Sequence, residues 1–226
     1  MVLTARMIKR DHPDCKVVFI GPCDSKKLEA RRQSVRSDVD FVLTFEEALG
    51  IFAAKGMDKA FLPEDEEELS ANSSRDARCF AYSGGVAQAV VNAIHDMDPD
   101  REIKVAAATG LADCRKLLMM AKVGKYDGYL LEGMACPGGC IGGGGQPRTK
   151  LPQEIPAKRA RIESLYGLDA LKQIRASWEN PEIQTLYTKF LGEPLSDLSE
   201  SLLHTQYINK HYMLGKEDKV QPGVSH

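Results

Sequence analysis

The 226-residue chain is 43% hydrophobic and carries a formal net charge of −2, enough apolar content for a sizeable core and no charge surplus to attract nucleic acid. No apolar run approaches the roughly 18–20 residues of a membrane span, and the opening MVLTARMIKRDHPD lacks a signal peptide's apolar centre. Six cysteines are too sparse for a disulfide scaffold, so the expectation is a cytoplasmic protein whose thiols pack or bind metal.

The first apolar run, CKVVFIGPC (15–23), predicts a buried strand halted at Gly21-Pro22, with Asp24 or Ser25 capping a helix over KKLEARRQ. DFVLTF predicts a second strand and EEALGIFAAKG a second helix stopped at Gly56. LPEDEEELSANSSRDA (62–77) reads as a solvated acidic excursion. Then come CFAYSGG, a helix over VAQAVVNAIHDM, a strand at IKVAAATG, a helix over LADCRKLLMMAKVG and a strand at YDGYLLEGMAC. Apolar strands alternating with helices predict an α/β fold, a mostly parallel sheet of about four strands covered on both faces, over residues 1–150. RTKLPQEIP reads as a linker into a small helical segment, 151–212, with helices over 161–174, 181–192 and 193–207, before a loose tail at 213–226.

In a parallel sheet, functional groups gather beyond the strands' C-terminal ends. Cys23 follows the first predicted strand, and EGMACPGGCIGGGGQP (132–147), with Cys136 and Cys140, follows the fourth. The CPGGC spacing matches neither a thioredoxin-like CxxC nor the paired CxxC of a zinc ribbon. Its glycines allow close approach of backbone N–H groups, which suits an anionic iron–sulfur cluster. Cys23, beside Lys26 and Lys27, is either such a ligand or a buried inert thiol. GGGGQP lacks the Lys-Ser/Thr of a phosphate loop. YSGGVAQA offers either free amides for an anion or a tight packing turn. Cys15, Cys79, Cys114, Met119, Met120 and Trp178 are expected to pack, and His204 to be a locally satisfied side chain or a fourth ligand.

GPCDSKKLEA closely resembles the second cysteine signature of the iron-only (FeFe) hydrogenases, Pro-Cys-x-x-Lys-Lys-x-Glu, and EGMACPGGCIGGGGQP resembles their third. FAYSGGVAQA is similar to the family's Gly-Gly turn, and ENPEIQTLYTKFLGEPLSDLSESLLHT to its small-subunit-like segment. The resemblance implies an H-cluster, a 4Fe-4S cubane bridged to a di-iron subcluster, and reversible oxidation of H2 to protons and electrons. Carried over residue by residue, Cys23 and Cys136 are cubane ligands and Cys140 the bridging ligand. Lys26 holds a cyanide of the di-iron centre, and Met134 packs near its bridging carbonyl. Phe80, Ala81, Gly84, Gly85, Gly138, Gly139 and Gln146 line the cofactor. The implied partners are a ferredoxin-like electron carrier and hydrogenase maturation factors.

The resemblance also marks two departures. The family's first signature, Thr-Ser-Cys-Cys-Pro, which supplies a further cubane ligand and the proton-transferring cysteine, is absent. The chain therefore reads as a C-terminal fragment whose partner is a missing upstream segment, with no complete cluster and little activity of its own. Gly21 stands where hydrogen-producing members have methionine, which is expected to open space beside the di-iron site and fits divergent sensory members. The alternative is a non-catalytic H2- or redox-sensing regulator, or a hydrogenase-like iron–sulfur assembly factor.

Overall fold

A computed structural model describes residues 1–32, 35, 37–57, 73–148, 154–170 and 174–204. The acidic excursion falls mostly, and the tail wholly, outside the described residues.

Among the described residues four short strands form, all paired in parallel. β1 (Val18–Gly21) lies beside β2 (Phe41–Thr44), Val18 opposite Phe41 and Gly21 opposite Thr44. β3 (Lys104–Thr109) lies beside β4 (Tyr129–Met134), Lys104 opposite Tyr129 and Thr109 opposite Met134. The expected α/β fold is therefore present, but the described strands make two two-stranded ladders, not one continuous sheet. The loop beyond β4 joins the two, its Gly145 N–H donating to Pro22 O at 3.0 Å. A second difference is exposure. Val18, Ile20 and Phe41 alternate onto one face of the first ladder and are all exposed, where a parallel sheet normally has both faces covered.

Parallel pairing demands crossovers, supplied by α2 (Ser25–Ala30) and α6 (Leu111–Lys122). α3 (Phe45–Ala54) springs directly from β2 through a reciprocal cap: Thr44 Oγ1 accepts the Glu47 amide at 3.2 Å, and Glu47 Oε2 accepts the Thr44 amide at 2.8 Å. The stop at Gly56 is as expected, with φ 68°. α4 (Arg75–Cys79) and α5 (Gly85–Met97) follow, joined by the Tyr82–Gly84 turn. Met119 on α6 is exposed at 61%, against the expectation that it packs.

α1 (Val2–Asp11), which sequence patterning did not single out, ties the α/β part to the C-terminal helices. Arg6 pairs with Asp38 at 3.0 Å and donates to Leu202 O at 3.2 Å. Arg10 lies 4.4 Å from the Phe190 ring centroid. Those helices are α7 (Glu154–Ala170), α8 (Pro181–Leu186) continued by a π turn at Tyr187–Leu191, and α9 (Asp197–Leu203). α7 begins within the expected linker, with Pro156 tolerated near its start.

Asp40 anchors α1 to the strand entry, accepting from Lys9 Nζ and from the Val17 amide, both at 2.8 Å. Its Lys9 hydrogen bond first, then the Val17 amide, lower its pKa from 3.8 to about 2. The folded value lies below the unfolded one, so this contribution to stability is complete above pH about 4 and is lost as the pH falls towards about 2. Asp40→Asn is expected to flatten the fall of the urea midpoint across that window and to lower the midpoint at pH 6. An unchanged slope would count against the assignment.

Candidate metal centre

The loop after β4 closes on itself through short turns. Gly139 N–H donates to Cys136 O at 2.9 Å, Gly142 N–H to Gly139 O at 3.0 Å, and Gly143 N–H to Cys140 O at 2.9 Å. It is also tied outward on both sides. Ile141, 4% exposed, donates its amide to Ala81 O at 2.9 Å, while Gly145 N–H holds Pro22 O and Gly145 O accepts the Glu46 amide at 3.2 Å. The loop thus runs from the end of β4, past the Ala81 turn, to the end of β1.

Two glycines show why side chains are excluded. Gly139 has φ 95°, and a Cβ there would stand 2.7 Å from Ser83 N and Tyr82 Cα. A Cβ on Gly143 would stand 2.2 Å from Pro22 O. The glycine-rich segment packs by backbone against backbone.

This course brings the three predicted thiols together. Burial first, then the neighbouring Cys23 and Cys136, push the Cys140 thiol pKa above its ordinary value, and Lys26 opposes them. Lys26 also pairs with Glu29 through its ammonium, and its amide donates to Cys23 O at 3.4 Å. Met134 ends β4, its carbonyl accepting from Gly110 N–H at 2.8 Å and Cys114 Sγ at 3.5 Å. All six cysteines are free thiols. Among the described residues, no three Cys, His, Asp or Glu side chains close on a single-ion site; a multi-iron cluster takes each thiolate on a separate iron and needs no such convergence.

Beside Cys140 lies a largely apolar cavity of about 430 Å³, walled by Pro22, Phe45, Ala81, Ile141, Gln146 and, from α7, Arg161, Ser164 and Leu165. Phe80 is 43% exposed and is not part of that wall. Arg161 was missed by sequence reasoning, yet it clamps the loop: Nη1 donates to Ile141 O at 3.0 Å and Nη2 to Pro147 O at 2.9 Å. The rings of Tyr82 and Tyr166 meet at 5.9 Å. Burial, with bonds to Cys79 and Tyr166, raises the Tyr82 phenol pKa far above its usual range, so it stays protonated. The C-terminal segment therefore forms part of the site wall, which its distance in sequence concealed.

The Gly-Gly turn differs from its anion-binding reading. The Glu132 carboxylate, 8% exposed, already accepts the Gly84 amide and, at 2.7 Å, the Ala87 amide. A Cβ on Gly85 would stand 1.8 Å from Cys79 O, so this glycine serves tight packing. Glu132 is the buried strap between β4 and the start of α5, and its place in the Glu-x-Met-x-Cys run was the signal available. Gly21 also departs from expectation: the Phe19 ring lies 2.6 Å from where its Cβ would be, so the room a longer side chain would take is filled.

Residues 1–144 match the family model "iron only hydrogenase large subunit, C-terminal domain". The chain belongs to the iron-only hydrogenase family. Residues 154–210 match the model of the iron hydrogenase small subunit. The chain is 35% identical over 225 residues to the NADP-reducing hydrogenase subunit HndD of Solidesulfovibrio fructosivorans, covering 86% of this chain and 38% of that one. It is 30% identical over 226 residues to the cytosolic iron-sulfur assembly component 3 of Bos taurus, covering 83% of this chain and 46% of the other. It thus spans less than half the length of these curated relatives. A solved FeFe-hydrogenase HydA1 from Chlamydomonas reinhardtii superposes with a TM-score of 0.72 at 27% identity, over 92% of this chain and 68% of that one. Among the described residues of this hydrogenase-family chain, no helix is long and apolar enough to cross a membrane.

Proposed function

We propose that Cys23, Cys136 and Cys140 are thiolate ligands of a 4Fe-4S cubane in an H-cluster, and that the assembled protein interconverts H2 with protons and electrons. The observation that carries this reading is the approach of Cys23, Cys136 and Lys26 to the partly desolvated Cys140. Neighbouring thiols oppose one another's ionisation, and iron reverses that balance by stabilising the thiolates. Soft sulfur donors suit an iron–sulfur cluster.

When bound, the H-cluster supplies the redox equivalents and the metal site at which H2 is made or split. The protein's part is ligation, charge and exclusion of water. Cys23, Cys136 and Cys140 would hold the cluster through their thiolates, Lys26 would offer a compact cation to its anionic groups, and Met134 would pack against it. The apolar wall of Pro22, Phe45, Ile141 and Leu165 keeps water from that side. A polypeptide segment bearing the Thr-Ser-Cys-Cys-Pro signature supplies the further ligand and the proton-transferring cysteine. The exposed face of Val18, Ile20 and Phe41 supports such a covering partner. Electrons arrive from a ferredoxin-like carrier, and maturation factors install the di-iron subcluster.

A second reading, an iron–sulfur assembly factor or a redox-sensing regulator, draws on the similarity to the assembly component. The test is anaerobic reconstitution with iron, sulfide and a di-iron precursor, with and without the signature-bearing segment of a relative, followed by methyl viologen-linked H2 evolution. Turnover is expected only with the segment. Turnover by this chain alone would remove the need for a further ligand, and a loaded cluster without turnover in either arm would favour the second reading.

A further inference from the structure

Thr109 closes β3, opposite Met134, and carries no role in the ligand set. Its hydroxyl is fully used. Oγ1 accepts the Gly138 amide at 2.8 Å and the Ser83 hydroxyl at 3.1 Å, and donates to Cys136 O at 3.3 Å. One donor and two acceptors are the whole capacity of a threonine hydroxyl. The grip is completed from the far side, where Ser83 N–H donates to Gly138 O at 3.2 Å. Gly138, which has φ 87°, is therefore held at both its N–H and its C=O, the first by the end of β3 and the second by the turn before α5.

We infer that Thr109 is a positioning residue for Cys136, fixing the turn between the two loop thiols so that Cys136 and Cys140 keep one relative setting before any iron arrives. The reason is mechanical. Cys136 O and Gly138 N–H flank the turn's apex, and no other side-chain hydroxyl is bonded to either of them among the described residues. A turn with glycines at positive φ has many alternative conformations, and a hydroxyl bonded at both its ends removes them. The inference rests on Cys136 being a cluster ligand, but its first consequence is visible without iron.

The test uses the iron-free chain with Thr109→Val, which keeps the shape and loses all three bonds, and Thr109→Ser, which restores the hydroxyl. Amide hydrogen exchange at Gly138 is expected to rise about tenfold in Thr109→Val and to return near the parent rate in Thr109→Ser. Alkylation of Cys136 relative to Cys15 should rise in parallel, while exchange in α1 and α6 stays unchanged. Ser83→Ala, losing one bond, should fall between. Parent-like exchange in Thr109→Val, or failure of serine to rescue, overturns the inference. If exchange responds as expected but the parent chain, reconstituted together with the signature-bearing segment, takes up no iron and sulfide, the positioning role stands and the cluster assignment falls. If the parent loads a cluster while Thr109→Val matches it in exchange and alkylation, the reverse holds.

Discussion

Replacing Cys23, Cys136 or Cys140 singly with serine is expected to reduce to background the iron and sulfide retained after anaerobic reconstitution together with the signature-bearing segment. Cys15→Ser and Cys114→Ser should leave them unchanged. Cys140 feels the charge of Cys23 and Cys136, whereas Cys114 is already bonded to Ala108 O and Met134 O at 3.6 and 3.5 Å. Loss of an outer-shell partner of a metal site commonly costs about 10–100-fold in affinity, and a lost ligand should exceed that. The paramagnetic signal of the reduced cluster and the iron count are the readouts. Retention of a full complement by Cys136→Ser or Cys140→Ser would place the cluster elsewhere, and loss on Cys15→Ser would redraw the ligand set.

Gly143→Ala is expected to destabilise the protein by about 2 kcal/mol or more, at the upper end of overpacking costs. A Cβ at this position overlaps Pro22 O at 2.2 Å and Cys140 O at 3.0 Å, and both obstacles are backbone that no rotamer change can move. Because Pro22 directly precedes Cys23, any relief displaces a proposed ligand, so cluster uptake should fall along with stability. Gly50→Ala is the control with the opposite sign. It lies inside α3 with nothing within 4 Å of the new Cβ, and alanine there should stabilise by roughly 0.4–1 kcal/mol. Urea midpoints at pH 7 measure both. Equal effects of the two substitutions would refute the close-packed loop.

The elements were largely legible because each strand is a compact apolar run and several helices carry their own punctuation, as at Thr44-Phe45 and Gly56. The ladders' separation was not, because an apolar run states that a strand is buried or paired but not with which neighbour. α1 was overlooked because its role depends on ion pairs with Asp38 and Asp40, distant in sequence. Within the site, the thiols and Lys26 could be named from spacing and resemblance. Thr109, Glu132 and Arg161 could not be assigned their work, since a single threonine, glutamate or arginine carries no periodicity or spacing that points to a partner.

By itself the sequence determined the parallel α/β alternation, the placement of Cys23 and the CPGGC run beyond strand ends, and the family, since all three reside in local order along the chain. Only the tertiary structure decided what holds the cysteine loop. Its glycines offer no side chains, so its conformation is set by backbone hydrogen bonds to Ala81, Pro22 and Glu46 and by the side chains of Thr109 and Arg161. These partners come from five separate segments, and only folding brings them to one place.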